Sequence, residues 1–240
     1  MSSVWLGPPT WSAPAPTCHG RAATIVGTSG PELIVGTPGD DVIVAGDGLD
    51  RVEAGAGDDV VCGGFGSDRL FGGAGDDLLD GEQDGFIEVY TFGDVLDGGP
   101  GDDVIIGGPG VRRDQPGADT VSYRHSPHGV RLDLAHHSSD LGAEHDVVVG
   151  VEYATGSNFD DELRGGDGYT NFSGLRGDDV LVGRGGLDVL DGGAGDDRLV
   201  GGAGQDYLEG LDGEDVGIGG RGPDRCYFVE TVESCRVVRP

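Results

Sequence analysis

The chain has 240 residues, of which 50 are glycine, 44 are Asp or Glu and 15 are basic, so its formal net charge is −29. This acidic balance repels the phosphates of nucleic acids and of anionic membranes, so it excludes both as natural partners and favours cations. Hydrophobic residues make up only 36% of the chain, which is too few for a conventional globular core, and no apolar run is long enough for a membrane span.

The N-terminal residues 1–26 are predicted to form a linker and cap, since they contain the linker-like stretch WSAPAPT before Cys18. They lack the charged and apolar regions of a signal peptide. We therefore expect a secreted form of the chain to use a leader that is not part of this sequence.

From Gly27 the sequence repeats every nine residues, and residues 27–80 form a first repeat block that opens with GTSGPELIV, GTPGDDVIV and AGDGLDRVE. Glycine clusters at positions 1, 2 and 4 of each unit, a carboxylate stands at position 6 and an aliphatic residue at position 8. Glycine permits positive φ in tight turns, and a three-residue strand around position 8 would point one side chain inward. Two units would complete one coil of 18 residues, with turns at opposite edges.

Residues 81–118 hold interrupted repeats, with one full unit at Gly98 and a split unit that begins at Gly107. Two stretches there, Glu82–Phe92 and Arg112–Pro116, are predicted to be loops. Residues 119–155 are predicted to continue as irregular solenoid coils, with VRLDL and VVVGVEY as strands. Residues 156–227 form a second block of eight regular units, and residues 228–240 are predicted to be a C-terminal cap.

The inward side chains of the predicted strands occupy position 8. They are Ile34, Ile43, Val52, Val61, Leu70, Leu79, Ile105, Leu163, Phe172, Leu181, Leu190, Leu199 and Leu208.

The repeat resembles the calcium-binding nonapeptide GGxGxDxUx of the RTX (hemolysin-type) family, and the whole chain is similar to small secreted bacterial calcium-binding proteins. The resemblance implies an all-β fold, a right-handed parallel β-roll (a β-solenoid) of two repeat blocks joined by irregular coils. It also implies Ca²⁺ ions held between turns that stack on the same edge.

Calcium prefers six to eight oxygen ligands, which carboxylates and the carbonyls of glycine turns supply. Stacked turns in the two blocks allow up to about ten ions. Glu32 and Thr170 replace the aspartate at position 6, and Gly217 leaves position 8 without a side chain. The metal ligands that the resemblance implies are Asp41, Asp50, Asp59, Asp68, Asp77, Asp161, Asp179, Asp188, Asp197, Asp206, Asp215 and Asp224, with Asp103 and Asp119 as weaker candidates from the interrupted middle.

With so few apolar residues, we expect the calcium-free chain to be largely unfolded, and calcium binding to drive folding outside the cell. The biological partner stays open: an extracellular calcium buffer, a component that binds a cell wall or another extracellular polymer, and a module of a larger enzyme all fit.

The chain has no HExxH, GxSxG or P-loop motif, so we expect no enzymatic activity. The alternative is a non-catalytic module of, or a diverged, secreted polysaccharide-modifying or hydrolytic enzyme. Such an enzyme would use Tyr123, Arg124, His125 and Asp133, although surface roles are favoured for these four. The histidines His125, His128, His136, His137 and His145 show no spacing that fixes a tetrahedral metal site.

Four cysteines allow three disulfide connectivities. They lie towards the two ends of the repeats, and solenoid ends need caps. We therefore predict disulfides between Cys18 and Cys62 and between Cys226 and Cys235, formed in an oxidising compartment.

Overall fold

The computed structural model describes residues 15–87, 90–109, 119–140 and 145–237. Within these ranges every regular element is a β-strand, and none of the described residues forms a helix that is long and apolar enough to cross a bilayer. The strands form two long sheets, of 14 and 11 strands, together with a small two-stranded sheet near the N-terminus.

The strands are short because each repeat supplies only a few residues between glycine turns. In chain order they are β1 (Thr17–Cys18), β2 (Arg21–Ala22), β3 (Ile25–Val26), β4 (Leu33–Val35), β5 (Val42–Gly48), β6 (Arg51–Ala56), β7 (Val60–Gly66), β8 (Arg69–Ala74), β9 (Leu78–Ile87), β10 (Tyr90–Phe92), β11 (Val95–Asp97), β12 (Val104–Ile106), β13 (Thr120–Ser122), β14 (Arg131–Asp133), β15 (Ser138–Asp140), β16 (Val147–Val149), β17 (Tyr153–Thr155), β18 (Glu162–Arg164), β19 (Thr170–Arg176), β20 (Val180–Gly186), β21 (Asp188–Ala194), β22 (Arg198–Gly204), β23 (Tyr207–Asp212), β24 (Val216–Arg221), β25 (Arg225–Tyr227), β26 (Thr231–Glu233) and β27 (Arg236–Val237).

Successive strands of the repeat blocks alternate between the two sheets, so that each strand pairs in parallel with the strand two places along the chain. In the 14-strand sheet Ile43 of β5 lies opposite Val61 of β7. In the 11-strand sheet Leu190 of β21 lies opposite Leu208 of β23. These partners are 18 residues apart, so one coil contains two nonapeptides, and the predicted β-solenoid is confirmed.

The core is a column of position-8 side chains between the two sheets. All thirteen residues predicted to point inward are buried and belong to one hydrophobic cluster. The alternation of inward and outward side chains along each strand explains why the neighbouring positions 7 and 9 are more exposed. The core is therefore about one side chain per nonapeptide, a thin column rather than a broad interior.

The register survives the irregular middle because extra residues are looped out of the coil. Leu70 lies opposite Leu96, and Leu79 lies opposite Ile105, each pair 26 residues apart instead of 18. The additional residues form an antiparallel hairpin of β9 and β10. The prediction of a loop over Glu82–Phe92 is therefore wrong, because this stretch extends the 14-strand sheet. The predicted loop Arg112–Pro116 lies outside the described residues.

The segment 119–155 contributes coils to the solenoid, as predicted. VRLDL forms β14, and VVVGVEY contributes β16 and the start of β17. Between β14 and β16 the strand β15 pairs antiparallel to both, which interrupts the parallel order of the 14-strand sheet. The 11-strand sheet is not interrupted, since β13 pairs directly with β17 and β17 with β19.

Both predicted disulfides are formed, Cys18 with Cys62 and Cys226 with Cys235. The first joins the N-terminal hairpin of β1 and β2 to the outer face of β7. The second lies at the C-terminal end, where Cys226 occupies an inward position 8 and is fully buried. A Cβ on Gly217 would lie 3.0 Å from Sγ of Cys226 and 3.1 Å from a methyl group of Val229. The side chain missing at Gly217 is therefore replaced by these neighbours, and β24 keeps its register.

The turns require glycine where coils stack most closely, which a matched pair of substitutions tests. Gly195 has a φ of +143°, and a Cβ there would overlap the carbonyl oxygen of Gly177 in the preceding coil. A Cβ on Gly166 would meet open space. We expect Gly195→Ala to lower the free energy of unfolding in saturating calcium by about 1–3 kcal/mol or more, and Gly166→Ala to change it by about 0.5 kcal/mol or less.

Chemical denaturation monitored by circular dichroism measures both values. Equal effects of the two substitutions would contradict the close stacking of the turns.

Candidate calcium-binding turns

The position-6 aspartates are placed by the strands that follow them. Each stands two residues before an inward position-8 side chain, at the point where the glycine turn enters a strand. All fourteen predicted ligands are at least 94% buried, from Asp41 at 6% exposed to Asp119 at 0%. A solvated acidic turn is therefore excluded for these residues. Buried carboxylates are rare in proteins unless a positive charge or a set of hydrogen bonds compensates for the lost water.

One oxygen of each carboxylate is used to join successive coils. The backbone N–H of Asp41 donates to Oδ1 of Asp59 at 2.7 Å, and the N–H of Asp59 donates to Oδ1 of Asp77 at 2.8 Å. The same bond recurs at the other edge, where the N–H of Asp50 donates to Oδ1 of Asp68. The aspartates thus form two ladders, one along each edge of the solenoid, with a step of one coil.

The second oxygen, Oδ2, is buried and accepts no hydrogen bond from the described part of the chain in ten of these residues. A buried polar atom without a partner costs about 1–3 kcal/mol, and more when the group is charged. Ten such atoms in register are consistent with a missing cation at each step. The residues are Asp50, Asp59, Asp68, Asp77, Asp103, Asp179, Asp197, Asp206, Asp215 and Asp224.

Backbone oxygens converge on the same space. A Cβ added to Gly174, at position 1 of its unit, would clash with Oδ2 of Asp179 and would lie 2.6 Å from the carbonyl oxygen of Gly192 in the next coil. Gly72 is placed in the same way against Oδ2 of Asp77 and the carbonyl of Gly98. Each glycine therefore leaves open a space lined by oxygens from two successive coils.

This arrangement fits Ca²⁺ on chemical grounds. Calcium takes only hard oxygen ligands, accepts mixtures of carboxylates and backbone carbonyls, and tolerates irregular geometry. The turns offer buried carboxylate Oδ2 atoms together with carbonyl oxygens, and the fully buried aspartates have no lysine or arginine among their recorded hydrogen-bond partners. A divalent cation would supply the positive charge that the ladders lack.

Burial and like charges hold several aspartates in their protonated form. Burial first, and then the charge of Asp59 in the neighbouring coil, raise the pKa of Asp77 to about 7. Burial, with Asp146 and Asp77 nearby, raises the pKa of Asp103 to about 8. In the second block burial and Asp161 raise the pKa of Asp179 to about 7. Charged ladders are thus unfavourable at neutral pH when no cation is bound.

Three turns satisfy their carboxylate internally. Position 2 of these units is Thr or Ser instead of glycine. The N–H and hydroxyl of Thr37 both donate to Oδ2 of Asp41, at 2.7 and 2.8 Å. Ser157 donates its N–H to Oδ2 and its hydroxyl to Oδ1 of Asp161, and the N–H of Thr28 donates to Glu32. Asp41 and Asp161 therefore have fewer free lone pairs for a metal than the other predicted ligands.

The ladders include two residues that the sequence analysis missed. Asp94 is fully buried, its Oδ1 accepts the N–H of Asp68, and its own N–H donates to Asp119. Asp146 accepts the N–H of Asp103 at 3.1 Å. Asp119 therefore takes a regular ladder position. The signal in the sequence was an aspartate directly before a three-residue strand with an apolar centre, DVLD and DVVV, which the nonapeptide count passed over.

A second acidic row runs along one edge only. At position 5 of the units that precede the 14-strand sheet, the N–H of Asp58 donates to Asp40, that of Asp76 to Asp58 and that of Asp102 to Asp76. These carboxylates are exposed. The other edge carries Leu, Ser, Gln or Pro at position 5 in most units. The alternation of one and two aspartates along the sequence therefore has the 18-residue period of the coil.

The four residues considered for catalysis do not share one network. His125 Nδ1 lies 2.9 Å from Oδ2 of Asp97. Asp133 binds Arg184 and His136 instead. Burial alone raises the pKa of Asp133, but hydrogen bonds from Arg184 and His136 outweigh burial and hold this pKa at about 2. Asp133 thus stays ionised and is unsuited to act as a general acid.

Comparison with known families agrees with the geometry of the turns. A family model described as the RTX calcium-binding nonapeptide repeat (4 copies) matches six segments, 26–61, 63–84, 90–111, 145–169, 170–199 and 191–226, which cover about two thirds of the chain. No curated protein matches the chain.

The ladder geometry predicts which aspartates share an ion. The N–H of Asp188 donates to Asp206, and the charge of Asp206 acts on Asp188, whereas Asp197 lies on the opposite edge. We expect Asp188→Asn and Asp206→Asn to be non-additive in calcium affinity, with a coupling of about 0.5–3 kcal/mol. Asp188→Asn and Asp197→Asn should be nearly additive.

Isothermal titration of the single and double variants gives both couplings. Stronger coupling for the pair nine residues apart would refute the assignment of the two edges.

The raised pKa values predict that acid partly replaces calcium. A group whose pKa is higher in the folded state stabilises that state below its unfolded pKa, and this stabilisation is lost as the pH rises through the folded pKa. The folded values of about 6 for Asp68, 7 for Asp179 and 8 for Asp103 place the loss between these pH values. We therefore expect the calcium-free protein to gain β-structure as the pH falls from about 8 to about 4.

Circular dichroism of metal-free protein across this pH range tests the sign. Loss of structure on acidification, as in ordinary acid denaturation, would contradict it.

Proposed function

Because the chain belongs to the RTX calcium-binding nonapeptide repeat family, we propose that it is an extracellular calcium-binding protein whose β-solenoid folds when Ca²⁺ binds. The observation that carries the proposal is the set of ten buried aspartates with an unbonded Oδ2. Calcium binding itself follows from the repeats. The coupling to folding and the extracellular setting are the proposed parts.

The coupling to folding rests on the imbalance between core and charge. Each nonapeptide contributes about one buried aliphatic side chain to the core and brings at least one carboxylate to an edge. Without cations, folding would bring carboxylates of successive coils together in a desolvated environment, as the raised pKa values of Asp77 and Asp188 indicate. Binding free energy that is available only in the folded state then becomes folding free energy.

The extracellular setting is supported by calcium and cysteine together. Two disulfides cap the solenoid, and disulfides persist in oxidising compartments. Extracellular calcium modules bind in the range of about 10⁻⁴–10⁻³ M, so a chain of this type would stay unfolded where calcium is scarce and fold where it is abundant. The alternative, a non-catalytic module of a secreted polysaccharide-modifying enzyme, shares the same calcium chemistry, and assays on uronate polymers distinguish the two.

A calcium titration of the oxidised full-length chain tests the coupling. We expect little β-structure in excess chelator at neutral pH, and a cooperative gain of β-signal in circular dichroism with a midpoint of about 10⁻⁴–10⁻³ M Ca²⁺. Calorimetry should show the heat of folding over the same range. Mg²⁺ is the control cation, since it demands small octahedral sites and should fail to induce the transition.

A cooperative β-signal in chelator would overturn the coupling while leaving calcium binding intact. A midpoint far below micromolar would overturn the proposed extracellular switch.

A further inference from the structure

A cluster of soft metal ligands lies outside the calcium ladders, at the N-terminal cap. Sγ of Cys18, Sγ of Cys62 and a ring nitrogen of His19 all lie within 4.8 Å of one another. Cys18 and Cys62 are buried and joined as a disulfide, and His19 is exposed. Asp80 is the register partner of Cys62 in the neighbouring strand, and its Oδ2 lies 2.7 Å from Nε2 of His19.

The backbone at His19 is unusual for its residue type. His19 and Gly20 form the turn between β1 and β2, with φ values of 47° and 78°. Turns with positive φ at both central residues favour Asn-Gly, so histidine is a costly choice at the first position. The turn places the imidazole between the cysteine pair and Asp80. This position is a reason for histidine that the hairpin alone does not provide.

The contact with Asp80 defines how the imidazole can bind a metal. A carboxylate acceptor selects the tautomer with a proton on Nε2, which leaves the lone pair of Nδ1 for a ligand bond. Histidines that bind metals usually donate their other ring N–H to a carboxylate or a carbonyl in this way. Asp80 would thus be a positioning residue that orients the His19 ring.

We propose that Cys18, Cys62 and His19 form a zinc site when their disulfide is reduced. Two thiolate sulfurs and one imidazole nitrogen match the ligands that Zn²⁺ prefers, and the fourth tetrahedral position faces solvent beside the exposed His19. A dithiol reductant supplies two electrons and two protons, converts the disulfide to two thiols and is itself oxidised to a disulfide. Zinc then displaces the thiol protons. The cap is held to β7 by a covalent bond in one redox state and by a metal ion in the other.

The second disulfide is a matched control within the same chain. Among the described residues, Cys226 and Cys235 belong to no group of three or more His, Cys, Asp or Glu ligands, whereas Cys18 and Cys62 do. Reduction of both disulfides therefore creates two dithiols, of which one has a histidine neighbour. The calcium ladders contain only oxygen ligands and do not bind through sulfur.

Cobalt is the probe, because Co²⁺ bound to thiolates in a tetrahedral site absorbs strongly and Co²⁺ bound to oxygen does not. The full-length chain is kept in saturating Ca²⁺, reduced with a phosphine and titrated with Co²⁺, and Zn²⁺ is then added to displace it. The variant Cys226→Ser with Cys235→Ser should bind one thiolate-ligated ion per chain. The variant Cys18→Ser with Cys62→Ser should show no such absorption.

Two further variants keep both cysteines. His19→Asn suits the turn and should weaken zinc binding by at least tenfold, and Asp80→Asn should weaken it by about 10–100-fold through the orientation of the ring. Circular dichroism in Ca²⁺ confirms that each variant is folded. Equal absorption from the two cysteine pairs, or unchanged affinity in His19→Asn, would overturn the proposal. Neither result would affect the calcium proposal, which is read from the separate calcium titration.

Discussion

A carboxylate buried at every turn is the constraint on which the rest of this structure depends. Each coil buries an aspartate at each edge, joins it to the preceding coil through Oδ1, and in ten residues leaves Oδ2 unbonded among the described residues. An uncompensated buried charge is among the most costly features a protein can have. The fold is therefore stable at neutral pH only if cations or protons neutralise the ladders, and calcium fits the oxygen ligands that the turns present.

The glycine content follows from the same constraint. Carbonyl oxygens of successive coils must approach both the carboxylates and one another, and a Cβ on Gly195 or Gly174 would occupy that space. Glycine turns in turn leave little room for a hydrophobic core, which is reduced to one inward side chain per nonapeptide. Composition, thin core and acidic charge are thus consequences of one design, in which cations at the edges replace part of the stabilisation that a broad apolar core supplies elsewhere.

The regular parts of the fold were predictable from the sequence because a nine-residue period defines both the turn and the inward residue. It was sufficient to place Leu190 opposite Leu208 and to assign the caps to Cys18 with Cys62 and Cys226 with Cys235. The middle was less predictable, since the hairpin of β9 and β10 and the antiparallel β15 change the spacing between partners. Asp94 was missed for that reason, and the contact of His19 with Asp80 depends on a cap whose docking no period records.

The most direct test of the account is a crystal structure of the oxidised protein grown in calcium, with anomalous scattering used to locate the ions. The account predicts Ca²⁺ peaks between stacked turns at both edges, each within ligand distance of about 2.3–2.6 Å of aspartate Oδ2 atoms and turn carbonyls. Asp179 and Asp197 would flank one such ion at one edge, and Asp188 and Asp206 would flank another at the opposite edge. Calcium found only on the exposed position-5 carboxylates, with the buried Oδ2 atoms bonded to water or protonated, would contradict it.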